Sequence, residues 1–164
     1  MTIRIPLPLK LAALVLGTTV LYTYIGQLVP QKEVLPPQET QISQDMTTED
    51  LVEVGRQIAE NKGICLTCHT IGESGALRFP DLAGVGSRAG TRVEGMTGVE
   101  YLSQSLYDPN AYLVEGFSPG MPAIDKPPIS LSNEEILAVI AWLQSMGGTP
   151  DVTLDTELPY RTGG

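Results

Sequence analysis

A chain of 164 residues has room for one ordinary domain and its accessories. Its net charge of −9 lacks the basic footprint of a nucleic-acid binder and argues against general adhesion to an anionic membrane surface. Thirteen prolines and 17 glycines point to a loop-rich protein, and two cysteines three positions apart are too close to staple a distant loop, which excludes a disulfide scaffold.

Residues 1–29 read as a transmembrane anchor. From Leu11 to Val29 there are 19 residues without a charge, close to the ~20 that cross a bilayer core about 30 Å thick. Arg4 and Lys10 precede the stretch, whereas Lys32 beyond it is offset by Glu33. The positive-inside rule then places the N-terminus in the cytoplasm. The remainder is expected on the periplasmic or extracytoplasmic side of a bacterial cytoplasmic membrane. Tyr22 and Tyr24 sit toward the outer end, where aromatic residues collect at the interface. A cleaved signal peptide is the alternative, but no convincing small-x-small cleavage site follows. Thr18, Thr19 and Gln27 make the span moderately hydrophobic, as expected of one that packs against other helices.

Residues 30–46, PQKEVLPPQETQISQDM, are polar, carry Pro30, Pro36 and Pro37, and show no hydrophobic periodicity. They read as a linker in extended polyproline geometry, which at about 3.1 Å per residue reaches on the order of 50 Å.

The folded domain is expected over residues 47–150. Thr47 caps a first helix, with Asp50 three positions on and Glu49 at the positive end of its dipole. Leu51, Val54, Gly55 and Ile58 form its buried stripe, and Gly63 ends it. Directly afterwards stands C-L-T-C-H, with both cysteines and the only histidine of the chain: Cys65, Cys68 and His69. C-x-x-C-H is the attachment signature for c-type haem. Two thiols three residues apart on one helical turn reach the two vinyl groups of a porphyrin. The next residue then lies beneath the ring, where its imidazole can ligate iron. A thioredoxin-like pair would instead follow a strand, and none precedes Cys65. A structural zinc site needs four ligands, more than these three residues supply.

The glycine- and proline-rich segment RFPDLAGVGSRAG follows, too broken for long regular elements. A second helix begins at Thr97, where Glu100 completes a capping box, and runs to about Tyr107 before Asp108, Pro109 and Asn110 break it. Next comes GFSPGMPAIDKPPIS, which raises the question of the sixth iron ligand. With a single histidine, bis-histidine ligation within the chain is impossible, and methionine is the alternative that raises the potential of cytochromes c. Met1 lies in the anchor, Met46 precedes the domain, Met96 lies before a cap and Met146 ends a helix. Met121, 52 residues after His69, is held between Gly120 and Pro122 in a stiff loop that can fix a flexible thioether. A plain buried gap-filler is its other reading. The last helix is the clearest: Ser132 and Glu135 form the capping box, Ile136, Val139, Ile140 and Leu143 the stripe, and Gly147 the stop. No strand pattern is convincing. Residues 151–164 read as an extension outside the core, either disordered or docked on a partner.

From residue 47 to about 148 this arrangement resembles class I cytochrome c: a capped helix, C-x-x-C-H, a proline–glycine loop, a G-M-P loop and an amphipathic last helix. The resemblance implies an all-α fold of three or four short helices and long loops around one haem c, bound covalently through Cys65 and Cys68. It also implies His69 and Met121 as the iron ligands. Pro80 would supply the carbonyl that accepts the other N–H of the proximal histidine, Leu82 would pack on the haem face, and Arg88 would pair with a haem propionate. Each has a plainer alternative: a turn proline, a core leucine, an exposed loop arginine. Gly55 and Trp142 match a contact between crossing helices. Tyr101 and Tyr107 either border the haem or fill the inner face of their helix. Thirteen acids against six bases over residues 47–150 set this domain apart from lysine-ringed soluble carriers.

The function expected is single-electron transfer by a membrane-anchored monohaem protein, not an enzyme in itself. Its partners would be redox proteins, as neighbouring subunits of a respiratory or photosynthetic complex. In layout it is similar to the monohaem cytochrome subunit of alternative complex III. A tethered carrier swinging between complexes is the alternative. A five-coordinate haem peroxidase or gas-binding protein follows if Met121 does not bind iron. A thiol oxidoreductase follows if the cysteines carry no haem.

Overall fold

The computed structural model describes residues 6–28 and 42–160, which fall into two separate units. The first unit holds helix α1, Leu7–Leu28, whose 22 residues make it long and apolar enough to cross a membrane. Its hydroxyls are satisfied within the helix. Thr18 Oγ1 donates to the Leu14 carbonyl at 2.9 Å and Thr19 Oγ1 to the Val15 carbonyl at 2.8 Å. Such back-bonding removes the cost of a hydroxyl in an apolar setting, so these threonines do not require partner helices. Arg4 and most of the expected linker lie outside the described residues.

The second unit is built from α2 (Thr48–Glu60), a 3₁₀ turn (Cys65–Thr67), α3 (Val85–Ala89), α4 (Gly98–Tyr107) and α5 (Asn133–Ser145). No strand occurs among the described residues. All three expected capping boxes are formed, Thr47 with Asp50, Thr97 with Glu100 and Ser132 with Glu135. Each cap satisfies orphan amides of the first turn, worth about 1 kcal/mol apiece. Helix α2 stops at Glu60 with Asn61 as its cap, and Gly63 closes the end by donating to the Ile58 carbonyl at 2.7 Å.

The centre of the unit is α5. From Ile136 to Gln144 every residue is buried, not only the expected stripe. A helix becomes apolar all round when other elements cover all its sides, and α2, α3 and α4 all pack against this one. Against α2 the approach is close: a Cβ on Gly55 would sit 1.9 Å from the Ala138 carbonyl oxygen and 3.0 Å from Trp142 Cβ. The expected Gly55–Trp142 contact is therefore present, and its tightest point is the α5 backbone. Gly86 plays the same part for α3, where a Cβ would meet the Gln144 carbonyl oxygen at 2.0 Å.

The expectation that residues 151–164 lie outside the core is corrected for residues 151–160, the part of that segment the structure describes. Val152 and Leu158 are buried in the main cluster, and Leu154 and Tyr160 pack against it. The Thr48 hydroxyl donates to the Val152 carbonyl at 3.1 Å, and Gln144 of α5 exchanges hydrogen bonds with Asp151. At the other end Ile42 and Met46 also pack against the core, although residues 30–46 read as linker.

Candidate functional site

The chain enters the site through a left-handed residue. Ile64 has φ 48° and ψ 24°, an uncommon conformation for a β-branched side chain, and turns α2 into the 3₁₀ segment. Cys68 and His69 both donate backbone N–H to the Cys65 carbonyl, at 3.2 and 2.9 Å. One short turn thus carries both thiols and the imidazole. Cys65 is half-buried and Cys68 exposed. Burial pushes the Cys65 thiol up, the opposite of the lowered value that activates a redox thiol.

His69 is fixed from behind. Its Nδ1 lies 2.8 Å from the Pro80 carbonyl oxygen. A carbonyl can only accept, so Nδ1 carries the proton and Nε2 is left with its lone pair, as metal ligation requires. The residue after Pro80 ties this loop down. One Asp81 carboxylate oxygen accepts from the Gly72 amide at 3.0 Å and the Ala83 amide at 2.8 Å. The other accepts from the Thr70 hydroxyl at 2.7 Å and the Glu73 amide at 3.0 Å. These bonds, the Thr70 hydroxyl first, hold the Asp81 carboxyl well below the usual carboxylate range.

Facing His69 is an apolar cavity roofed by α4 and α5, with Leu102 and Leu106 from the first and Val139 and Leu143 from the second. Cys65, His69, Pro80, Leu82, Arg88 and Met121 all line it, so six of the seven expected site residues meet in one place. Cys68 is the exception. Of the methionines among the described residues, Met121 alone reaches the cavity; Met46, Met96 and Met146 do not. Tyr101 lines the cavity, whereas Tyr107 points elsewhere and donates to Asn133 Oδ1 at 2.6 Å.

Among the cavity residues that the sequence did not single out, three stand out. Phe79 sits beside His69, ring centroids 6.1 Å apart, and Gly120 of the methionine loop lies against its ring. Its adjacency to Pro80 was the available signal. Arg92, four residues beyond Arg88, is a second cation on the wall, and Tyr112 stacks edge-on against Tyr101 at 5.8 Å. Arg88 itself is engaged with the backbone, Nη1 donating to the Ala83 carbonyl at 2.5 Å and Nη2 to the Asp81 carbonyl at 3.2 Å.

An apolar slot with a thiol on its wall, a ring nitrogen free to ligate on one side and a thioether on another suits a flat apolar metal macrocycle. No group of three His, Cys, Asp or Glu side chains among the described residues could hold a bare metal ion instead. No curated protein matches the chain. The family model for cytochrome c matches residues 52–147, more than half of the 164. Covalent haem c, carried by Cys65 and Cys68 in C-x-x-C-H, follows from that match and from the slot that would receive it. On this match the chain belongs to the cytochrome c family, as a haem c electron-transfer protein.

Proposed function

We propose that this protein is a single-span, membrane-anchored monohaem cytochrome that passes single electrons, with His69 and Met121 as the two axial ligands of the iron. The observation that carries this reading is the common cavity. Cys65, the Nε2 side of a tautomer-fixed His69, and Met121 share it, while the other described methionines do not. When bound, the haem supplies a one-electron couple. In this reading His69 and Met121 would both hold the iron, which would leave no place for substrate there, and the apolar slot would keep the ring with little rearrangement. Pro80 orients His69, and Leu82 packs toward the ring from the same loop. The Met121 assignment speaks against a peroxidase or gas-binding role. The raised Cys65 thiol speaks against thiol redox chemistry.

Helix α1 supports anchoring, with the haem domain on the periplasmic or extracytoplasmic side as the flanking charges direct. Two settings fit this reading: a fixed subunit of a respiratory or photosynthetic complex, and a tethered carrier. The tethered carrier is favoured by two observations: the C-terminal segment packs on its own domain, and Thr18 and Thr19 bond within α1. Haem staining on a denaturing gel tests the cofactor, and mild-detergent extraction separates the settings. A stable assembly with other redox subunits is expected of a fixed subunit; a solitary cytochrome identifies the tethered carrier.

A further inference from the structure

We propose that Asp81 and Arg88 form a bracket whose task is to hold the Pro80 carbonyl against His69 Nδ1, and thereby to set the electron richness of the proximal ligand. The proposal rests on His69 ligating the iron. Nothing in the family match or the sequence pattern singled out Asp81, and Arg88 was expected to act on a propionate.

The geometry is reciprocal. Residues 70–73 leave His69, and residues 81–83 leave Pro80, so any bond between these two segments fixes the distance between ligand and carbonyl. Asp81 makes three such bonds through its carboxylate, to Thr70, Gly72 and Glu73, and the Leu82 amide adds a fourth to the Thr70 carbonyl at 2.8 Å. The carboxylate also accepts from the Ala83 amide, which folds its own loop into a tight turn. Arg88 grips that same turn, with one guanidinium nitrogen donating to the Asp81 carbonyl and another to the Ala83 carbonyl. A planar fork suits this two-carbonyl grip, which a lysine cannot reproduce. Pro80 is held between the two, with its oxygen 2.8 Å from Nδ1. The low carboxyl value of Asp81 agrees with an ionised group saturated with donors.

The physical consequence follows from the hydrogen bond. An imidazole donating from Nδ1 to a carbonyl is a stronger electron donor at Nε2, which favours the ferric state. Loosening the bracket weakens the donation and raises the reduction potential. Both residues are positioning residues, since neither needs to touch the iron.

The test uses the full-length holoprotein in detergent. Visible spectra and haem staining come first; a wild-type protein without covalent haem would sink the haem reading itself, independently of the bracket. With haem present, Asp81→Ala is expected to raise the midpoint potential and to speed hydrogen exchange at the Gly72 and Glu73 amides and at His69 Nδ1–H. Asp81→Asn, which keeps one acceptor oxygen and nearly the same shape, is expected to give a smaller shift of the same sign and carries the test if the alanine variant fails to mature. Arg88→Lys is expected to match Arg88→Ala. An unchanged potential in Asp81→Ala or Asp81→Asn, despite faster amide exchange, would overturn the proposal. So would an Arg88→Lys protein that keeps the wild-type potential while Arg88→Ala acquires a new pH dependence, the mark of a propionate counter-charge.

Discussion

The two faces of the cavity are held in different ways. On the histidine side, residues 69–83 are laced by hydrogen bonds to Asp81, Pro80 and Thr70, and Arg88 closes the loop from outside. On the methionine side, the segment from Val114 to Met121 contains a single backbone bond, Phe117 N–H to the Val114 carbonyl at 3.1 Å, and its side chains make no hydrogen bonds. That loop is positioned by Gly120 and Pro122 on either side of Met121 and by apolar contacts, among them Gly120 on Phe79. A ligand held by a polar lattice is oriented before the metal arrives. A thioether on a sparsely bonded loop depends on chain stiffness and packing. The comparison teaches that the His69 side of the cavity is the fixed one, and that the Met121 side, held by stiffness and packing alone, is the more easily altered.

The largest effect expected of any change is His69→Ala. Removing the fixed ligand should abolish the six-coordinate spectrum and reduce the yield of mature haem protein severely, measured by absorbance and haem staining. Met121→Ala should behave differently: covalent haem at near wild-type yield, with the potential well below wild type because the thioether is gone. Equal losses of haem from both variants would break the contrast between the faces.

Gly55→Ala probes the scaffold that both faces share. A methyl 1.9 Å from the Ala138 carbonyl oxygen forces α2 away from α5, with an overpacking cost of about 1–3 kcal/mol or more. For a domain of this size each kcal/mol lowers the melting temperature by about 4–8 °C. The midpoint potential should stay near wild type, since neither face is touched. A potential shift as large as that of an Asp81 variant would mean that the scaffold, not the bracket, sets the ligand.

The smallest effect concerns acid. The folded-state value of Asp81 is depressed by the Thr70 hydroxyl and by the amides of Gly72, Glu73 and Ala83. Its contribution to stability is therefore fully present above its unfolded value, near 3.9, and is lost as pH falls through the folded value. Asp81→Asn should lose less stability than wild type between about pH 5 and pH 2, read from melting temperatures across that window. Parallel curves for the two proteins would show that the carboxylate does not hold the histidine side.

Much of this architecture was legible because its signals are local. Thr47–Asp50, Thr97–Glu100 and Ser132–Glu135 are boxes four residues wide, and all three formed. C-x-x-C-H places two attachment thiols and one imidazole within five positions. The Pro80 carbonyl came from the resemblance, and the structure places it at His69 Nδ1. What escaped is long-range or unpatterned. Val152 and Leu158 carry no helical or strand period, and their burial depends on residues about a hundred positions away, such as Thr48. Asp81 draws its donors from backbone amides eight and nine residues back and from the Thr70 hydroxyl eleven back; backbone amides leave no mark on composition. Helix α3 was hidden in a glycine-rich run, because its one glycine, Gly86, serves close packing on α5 rather than chain flexibility.

The central claim is the proposal that Met121, which shares the cavity with His69, would serve as the second iron ligand. The most direct measurement is the weak sulfur-to-ferric-iron charge-transfer band at the red end of the visible spectrum, recorded on oxidised wild-type protein and on Met121→Ala. The band should be present in the first and gone in the second, with covalent haem retained in both. Its absence from the wild type, or its survival in the variant, would contradict the assignment.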